Sequence, residues 1–115
     1  MKPEIKDWHC PDVADLARWV PPSQADVFLP LEISIGPAGG TAAELFAIVV
    51  ATPQALHGRP DRRKGKLLVI HQYDWQEVRA TLERWVSECE RPTWEEVCDC
   101  LRTRFGWEYE GYAPK

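Results

Sequence analysis

Residues 67–75 read LLVIHQYDW, an apolar run followed by the start of a helix. The run from Leu67 to Tyr73 predicts a strand. Asp74 then has the side chain of a helix N-cap, with Glu77 three residues later as in a capping box. Beyond it, apolar residues recur at spacings of three and four, which is typical of one buried helix face. They are Trp75, Val78, Leu82, Trp85, Val86 and Cys89. We therefore expect a strand that leads directly into an amphipathic helix.

A second helix is expected immediately after the first. Pro92 ends the first helix because proline lacks a backbone N–H group, and Thr93 with Glu96 forms another capping-box pattern. The apolar residues of this second helix again share one side, and they are Trp94, Val97, Leu101 and Phe105. Gly106 is placed to end the helix. Both helices are short, so they need to pack against a sheet to be stable.

Two strands are predicted upstream of these helices. In residues 27–35 every odd position is apolar, which is the period-two pattern of a half-buried strand. Pro30 interrupts this pattern and favours an edge or bulged strand. The turn GPAGG at residues 36–40 leads into ELFAIVVATP at residues 44–53, an apolar run that suggests a strand covered on both faces. The two strands are expected to form an antiparallel hairpin, with a shorter strand before them.

The size and composition of the chain are those of one globular domain. It has 115 residues, of which 44% are hydrophobic and 28% charged, so we predict a single domain spanning residues 1–115. The first ten residues, MKPEIKDWHC, carry charges where a signal peptide has an apolar core. No apolar run approaches the roughly 20 residues of a membrane span. We therefore expect a cytoplasmic protein that does not contact a membrane.

The four cysteines are predicted to be reduced and structural. Cys98 and Cys100 are two residues apart on a helix, so their side chains point about 200° apart and cannot reach one metal ion. Cys89 lies on the apolar side of the preceding helix, where a free cysteine packs as a small hydrophobic residue. Cys10, near the N-terminus, has no cysteine close to it in sequence. A cytoplasmic location also favours free thiols.

No motif of a catalytic site is present in the sequence. The histidines, His9, His57 and His71, show neither metal-ligand nor triad spacing, and there is no Gly-rich phosphate loop. His71 is the one acid–base candidate, but a single histidine in a strand is more often structural. We therefore expect no enzyme activity, no metal site and no cofactor. An alternative function is a small-molecule-binding or regulatory domain with a pocket between sheet and helices, where His71, Tyr73 and Trp75 would lie near the mouth.

Negative charge is concentrated in the C-terminal third. The net charge is −4, and residues 74–110 contain ten acidic side chains against five arginines. Seven of these carboxylates are candidates for a surface that binds a basic partner: Glu88, Glu90, Glu95, Glu96, Asp99, Glu108 and Glu110. The alternative is a solvated surface that only confers solubility, since charge complementarity mainly speeds association and adds specificity. Residues 59–66, which carry five basic side chains, are interpreted as an exposed loop. Binding of this loop to nucleic acid is not favoured, because the overall charge of the protein is negative.

Several short motifs occur in order along nearly the whole chain. They are IGP at 35–37, ATPQAL at 51–56, GR at 58–59, LLVIHQYDW at 67–75, TWEEV at 93–97 and WEYEGY at 107–112. In this order and spacing they resemble the bacterial immunity protein 8 family. The resemblance implies a small cytoplasmic protein of polymorphic toxin or contact-dependent inhibition loci, which binds a cognate toxin domain and neutralises it.

The patterns together predict an α+β fold: an antiparallel sheet of about four to five strands with two C-terminal helices packed on one face. The predicted function is binding of a cognate toxin domain in a way that blocks its active or substrate-binding surface. If that toxin is a nuclease, the seven carboxylates would take the place of nucleic-acid phosphates. The protein itself is not expected to bind nucleic acid directly.

Overall fold

A computed structural model describes residues 1–107, and within them the chain forms a five-stranded sheet with three α-helices. The strands are β1 (Pro3–His9), β2 (Phe28–Pro37), β3 (Glu44–Ala51), β4 (Leu67–Val69) and β5 (Gly106–Trp107). The helices are α1 (Pro53–Leu56), α2 (Trp75–Ser87) and α3 (Trp94–Leu101), and Pro60–Arg63 form a 3₁₀ turn. The predicted α+β fold is confirmed.

The sheet has the order β1-β2-β3-β4, and β5 pairs with β3 beside β4. The β1–β2, β2–β3 and β3–β5 pairs are antiparallel, as expected, whereas β4 runs parallel to β3. The reason is the connection through residues 52–66, which carries the chain back before β4 begins. The strand predicted to continue to Tyr73 ends at Val69. Its last link to β3 is the Ile70 N–H group, which donates to the Ala51 carbonyl at 3.0 Å.

One face of the sheet forms the core together with both longer helices. The odd residues of β2 from Leu29 to Ile35 are buried, and Phe46, Ile48 and Val50 of β3 lie directly opposite Ile33, Leu31 and Leu29. The residues of the helices that complete this core are Val78, Leu82, Val86, Val97, Cys98 and Leu101. Full burial of an apolar side chain of this size stabilises the fold by about 1.5–3 kcal/mol. The predicted apolar sides of both helices are thus confirmed.

Two further features differ from the sequence prediction, the end of α3 and the position of β2 in the sheet. The helix α3 ends at Leu101 rather than at Gly106, yet Phe105 is fully buried, with its ring centroid 6.3 Å from that of Phe46. The strand β2 is not an edge strand, because it lies between β1 and β3. Its pairing with β1 ends at Glu32, so Pro30 lies where no residue of β1 faces its missing N–H group.

The connection between β3 and β4 packs against the other face of the sheet. Leu56 is buried there, although it lies outside the main core cluster. The guanidinium of Arg62 lies 4.5 Å from the ring centroid of Phe28, and its Nη1 donates to the Ala55 carbonyl at 2.9 Å. The basic segment predicted as an exposed loop is therefore anchored at Arg62, while Arg59, Arg63 and Lys64 are exposed.

Candidate functional site

Five of the seven candidate carboxylates lie in the described part of the chain, and all five are exposed. We call these residues the acidic face: Glu88, Glu90, Glu95, Glu96 and Asp99. Glu95, Glu96 and Asp99 share the side of α3 opposite its buried residues, because helical residues four apart point in similar directions. Glu88 and Glu90 lie in the turn between α2 and α3. The other two candidates, Glu108 and Glu110, lie outside the described residues.

A disulfide holds the two parts of the acidic face together. Cys89, which lies between Glu88 and Glu90, is bonded to Cys100, which follows Asp99, and their Cα atoms are 5.6 Å apart. The predicted reduced state is therefore wrong for this pair, while Cys10 and Cys98 are free and buried. The predicted divergence of Cys98 and Cys100 is correct. Because the two side chains diverge, Cys100 reaches Cys89 just after the end of α2, while Cys98 faces the sheet.

Arg91 organises the turn between the helices. Its Nη1 donates to the carbonyls of Glu88 and Glu90 at 3.2 and 2.8 Å, and its Nη2 lies 3.4 Å from the Cys100 Sγ. Its backbone exchanges two hydrogen bonds with that of Met1, beside the start of β1. The turn that carries Glu88 and Glu90 is therefore fixed both to α3 and to the sheet.

Thr93 caps the start of α3, and its side chain is bonded to Glu96 in two ways. The Thr93 hydroxyl oxygen accepts from the backbone N–H of Glu96 at 3.2 Å, and the hydroxyl donates to the Glu96 carboxylate at 2.9 Å. Glu95 and Glu96 also complement the positive end of the helix dipole. These carboxylates thus stabilise the helix and are displayed to solvent at the same time.

The carboxylates of the acidic face differ in how far neighbouring cations neutralise them. Glu88 Oε1 lies 3.5 Å from Arg104 Nη1, and Asp99 Oδ1 lies 3.9 Å from Arg102 Nη1. Among residues 1–107 the Glu90 and Glu95 side chains have no ion-pair partner. Exposed pairs of this kind are worth about 0–1 kcal/mol, so all five carboxylates remain accessible to a partner. The least compensated charge lies at Glu90 and Glu95.

A carboxylate that the sequence reasoning missed, Glu44, ties the first residue of β3 to α3. Its Oε2 accepts from Trp94 Nε1 at 2.5 Å and from Cys98 Sγ at 3.2 Å. Burial and the hydrogen bond to Glu44 raise the pKa of the Cys98 thiol to about 12. Cys98 is therefore an inert thiol at neutral pH. The signal for Glu44 is a lone acidic residue at the start of the apolar run ELFAIVVA.

A cleft of about 630 Å³ lies between the loop of residues 17–24 and the start of α2. Tyr73 and Trp75 line it, as the alternative pocket predicts, but His71 is exposed and does not. The cleft also differs in place, since it is formed by a loop and a helix start rather than between the sheet and the helices. Trp19 lines it as well and was missed because its loop has no periodic pattern.

The described residues contain no group of three or more histidine, cysteine or acidic residues that could hold a metal ion. His9 Nε2 lies 3.8 Å from Glu32 Oε1, and both side chains are largely exposed. This exposed pair is not held in the position that acid–base catalysis requires, and it contains no nucleophile. The chemistry that this surface offers is recognition by charge and shape.

The order of motifs along the chain agrees with one comparison to known proteins. The family model for immunity protein 8 matches residues 3–112, nearly the whole chain. The chain belongs to the immunity protein 8 family. The family implies a cognate toxin as the partner of this immunity protein and suggests a role as an inhibitor. The acidic face lies within the matched region.

No curated protein and no solved structure matches this immunity protein. Within residues 1–107 none of the helices has the length and apolar character that crossing a bilayer requires.

Proposed function

We propose that this protein binds one cognate toxin domain, of a polymorphic or contact-dependent inhibition system, and blocks the active or substrate-binding surface of that domain with its acidic face. The observation that carries the proposal concerns Glu88, Glu90, Glu95, Glu96 and Asp99: all are exposed, on α3 and on the turn that a disulfide bonds to α3. Binding of this kind requires no chemistry of the immunity protein. We also propose that residues 1–115 form one domain and that this domain acts in the cytoplasm.

The acidic face is rigid, which favours tight binding. The Cys89–Cys100 disulfide, the Arg91 hydrogen bonds and the N-cap of α3 at Thr93 fix its backbone before any partner arrives. A surface that is already ordered loses less conformational entropy on association. Negative charge on it accelerates the encounter with a basic partner and disfavours acidic ones.

The sign of the acidic face favours a nuclease as the toxin. A nuclease binds phosphates in a basic cleft, and a row of carboxylates presents charges of the same sign as a phosphate backbone. The two least compensated residues, Glu90 and Glu95, are the best placed to meet cationic side chains of such a cleft. We propose no direct contact between the immunity protein and nucleic acid, since its own charge would repel it.

Co-expression with the toxin domain encoded by the neighbouring gene tests the proposal. The expected result is that the immunity protein restores growth and co-purifies with the toxin domain at a ratio of one to one. A toxin domain that stays lethal, or that elutes separately at micromolar concentrations, contradicts the proposal. An unrelated toxin domain of similar charge serves as the control for specificity.

A further inference from the structure

The cleft beside α2 has walls made of aromatic rings that are held in place. Trp19 meets Tyr73 edge to face, with ring centroids 5.1 Å apart, and Trp75 meets Trp8 in the same way at 5.2 Å. Trp19 and Trp75 are only half-buried, so each ring keeps part of its surface open. Electron-rich ring faces of this kind attract cations.

Two carboxylates lie at the same cleft. Asp74 caps α2 with one oxygen, Oδ1, which accepts from the Gln76 N–H group at 3.0 Å. Glu77 was predicted to complete that cap, but no hydrogen bond or ion pair engages its side chain within residues 1–107. This contrasts with α3, where Glu96 is bonded to Thr93. The Glu77 carboxylate is therefore left free at the edge of the cleft.

The remaining charges of the cleft leave it negative. Arg79 also lines it, but its Nε lies 3.3 Å from Glu83 Oε2 and is thereby compensated. The N-terminus of α2 carries the equivalent of about half a positive charge, which is less than the two full negative charges of Asp74 and Glu77. The amide side chains of Gln24, Gln72 and Gln76 add neutral hydrogen-bond acceptors to the lining.

One buried polar atom at the wall lacks a partner. The Tyr73 hydroxyl is buried, and no hydrogen-bond partner for it exists in the described part of the chain. A phenylalanine at this position would avoid an unsatisfied hydroxyl, so this oxygen is a cost to the fold, and its burial keeps it out of contact with a ligand in the cleft.

We propose that this cleft binds an arginine side chain of a partner protein. A guanidinium group stacks on aromatic rings and donates up to five hydrogen bonds, which suits rings combined with carboxylate and amide oxygens. An anion would be repelled by Asp74 and Glu77, and an apolar group would bury these carboxylates without partners. The volume exceeds that of one side chain, so the adjoining backbone of the partner enters with it.

The assignment of this arginine to the toxin rests on the proposed function. The cleft lies at the start of α2 and the acidic face begins at its other end, so the two sites would be separate contacts of one basic partner. Two contacts on one rigid body would raise specificity, because a wrong partner has to match both.

A titration without the toxin tests the cleft itself. The full chain labelled with ¹⁵N is titrated with N-acetyl-arginine amide, and with N-acetyl-citrulline amide as the uncharged control of the same shape. We expect saturable shifts of the Trp19 and Trp75 indole signals, with the citrulline compound about tenfold weaker. Equal effects of the two compounds, or no saturable shift, would overturn the proposal.

Two matched variants locate the charge that is responsible. Glu77→Gln should weaken arginine binding about fivefold. Asp61→Asn makes the same change of charge at an exposed residue of the connection between β3 and β4, and it should leave arginine binding unchanged. Equal losses in both variants would mean that the probe responds only to net charge, which refutes a specific site. Spectra of both variants without ligand verify that the fold is retained.

Calorimetry with the toxin then separates the two proposals. If the wild-type protein binds the toxin and Glu77→Gln weakens the complex, the toxin supplies the arginine. If the toxin binds both equally, this assignment is wrong although the proposed function stands. If the toxin binds neither while the arginine compound still binds the cleft, the proposed function fails and the cleft remains.

Discussion

Cys89, just beyond the end of α2, is disulfide-bonded to Cys100 in the last turn of α3. The bond joins α3 to the turn after α2, and these are the two parts of the chain that carry the acidic face. It thus links the stability of the helix pair to the shape of the proposed binding surface.

Loss of this disulfide should destabilise the fold. The bond closes a loop with a sequence separation of 11 residues, for which chain entropy predicts a contribution of about 3 kcal/mol. Urea unfolding of the wild-type protein should therefore shift on addition of dithiothreitol, whereas Cys89→Ala/Cys100→Ala should not respond to it. Thiol titration of the unfolded, unreduced chain should give two thiols of the four cysteines. Four thiols before reduction would contradict the bond.

The sequence predicted those parts of the fold that depend on local patterns. The period-two run of β2 and the caps at Asp74 and Thr93 are visible because neighbouring residues determine them. The direction of β4 was not predictable, since an apolar run is the same in a parallel and an antiparallel pair. The Cys89–Cys100 bond was missed because free thiols were expected from the cytoplasmic location. The distance between the two helices, which brings these cysteines together, was not considered.

The acidic face and the cleft were likewise predicted only where local sequence patterns define them. The carboxylates of α3 were recognised because they alternate with buried residues at helical spacing. The cleft depends on Trp19, in an irregular loop, meeting Tyr73, which is far away in sequence. The same reasoning identified Tyr73 and Trp75 but could not find the loop opposite them.

The contact between Glu44 and Trp94 should stabilise the packing of α3 on β3. A charge-assisted hydrogen bond in a half-buried site contributes about 1.5–3 kcal/mol. We expect Glu44→Gln and Trp94→Phe each to lower the free energy of unfolding, and the double variant to lose less than the sum. The coupling measured in a double-mutant cycle should be about 1 kcal/mol. Additive losses would show that the two side chains do not interact.

Stability should fall in alkaline solution because two buried groups resist ionisation. The pKa of Cys98 is raised from 9.0 to about 12 by burial and by Glu44, and that of Tyr73 from 10.0 to about 12, mainly by burial. The unfolded chain ionises first, so the stability that these groups contribute is complete below pH 9 and is lost between pH 9 and 12. The slope should be at most about 1.4 kcal/mol per pH unit for each group.

Two variants measure how much Cys98 and Tyr73 each contribute to the loss of stability at alkaline pH. Relative to the wild-type protein, Cys98→Ala should flatten the decline that starts near pH 9, and Tyr73→Phe the part that starts near pH 10. Urea unfolding at pH 8, 9, 10 and 11 provides the measurement. Parallel curves for all three proteins would show that neither group governs the decline. The comparison is made between slopes, because each substitution also changes stability at pH 8.

The acidic face should act mainly on the rate of association with the toxin. Glu90 and Glu95 are the two carboxylates of the acidic face whose side chains have neither an ion pair nor a hydrogen bond within residues 1–107. Neutralising both, in Glu90→Gln/Glu95→Gln, should slow association about fivefold at low ionic strength and have less effect in high salt. The matched control is Asp12→Asn/Asp61→Asn, which changes the net charge equally at exposed positions away from this face. Glu88→Gln should have a smaller effect than Glu95→Gln, since Arg104 already lies 3.5 Å from Glu88. Stopped-flow measurements at several salt concentrations give these rates. Equal slowing in both double variants would mean that net charge, and not the position of the carboxylates, drives the encounter.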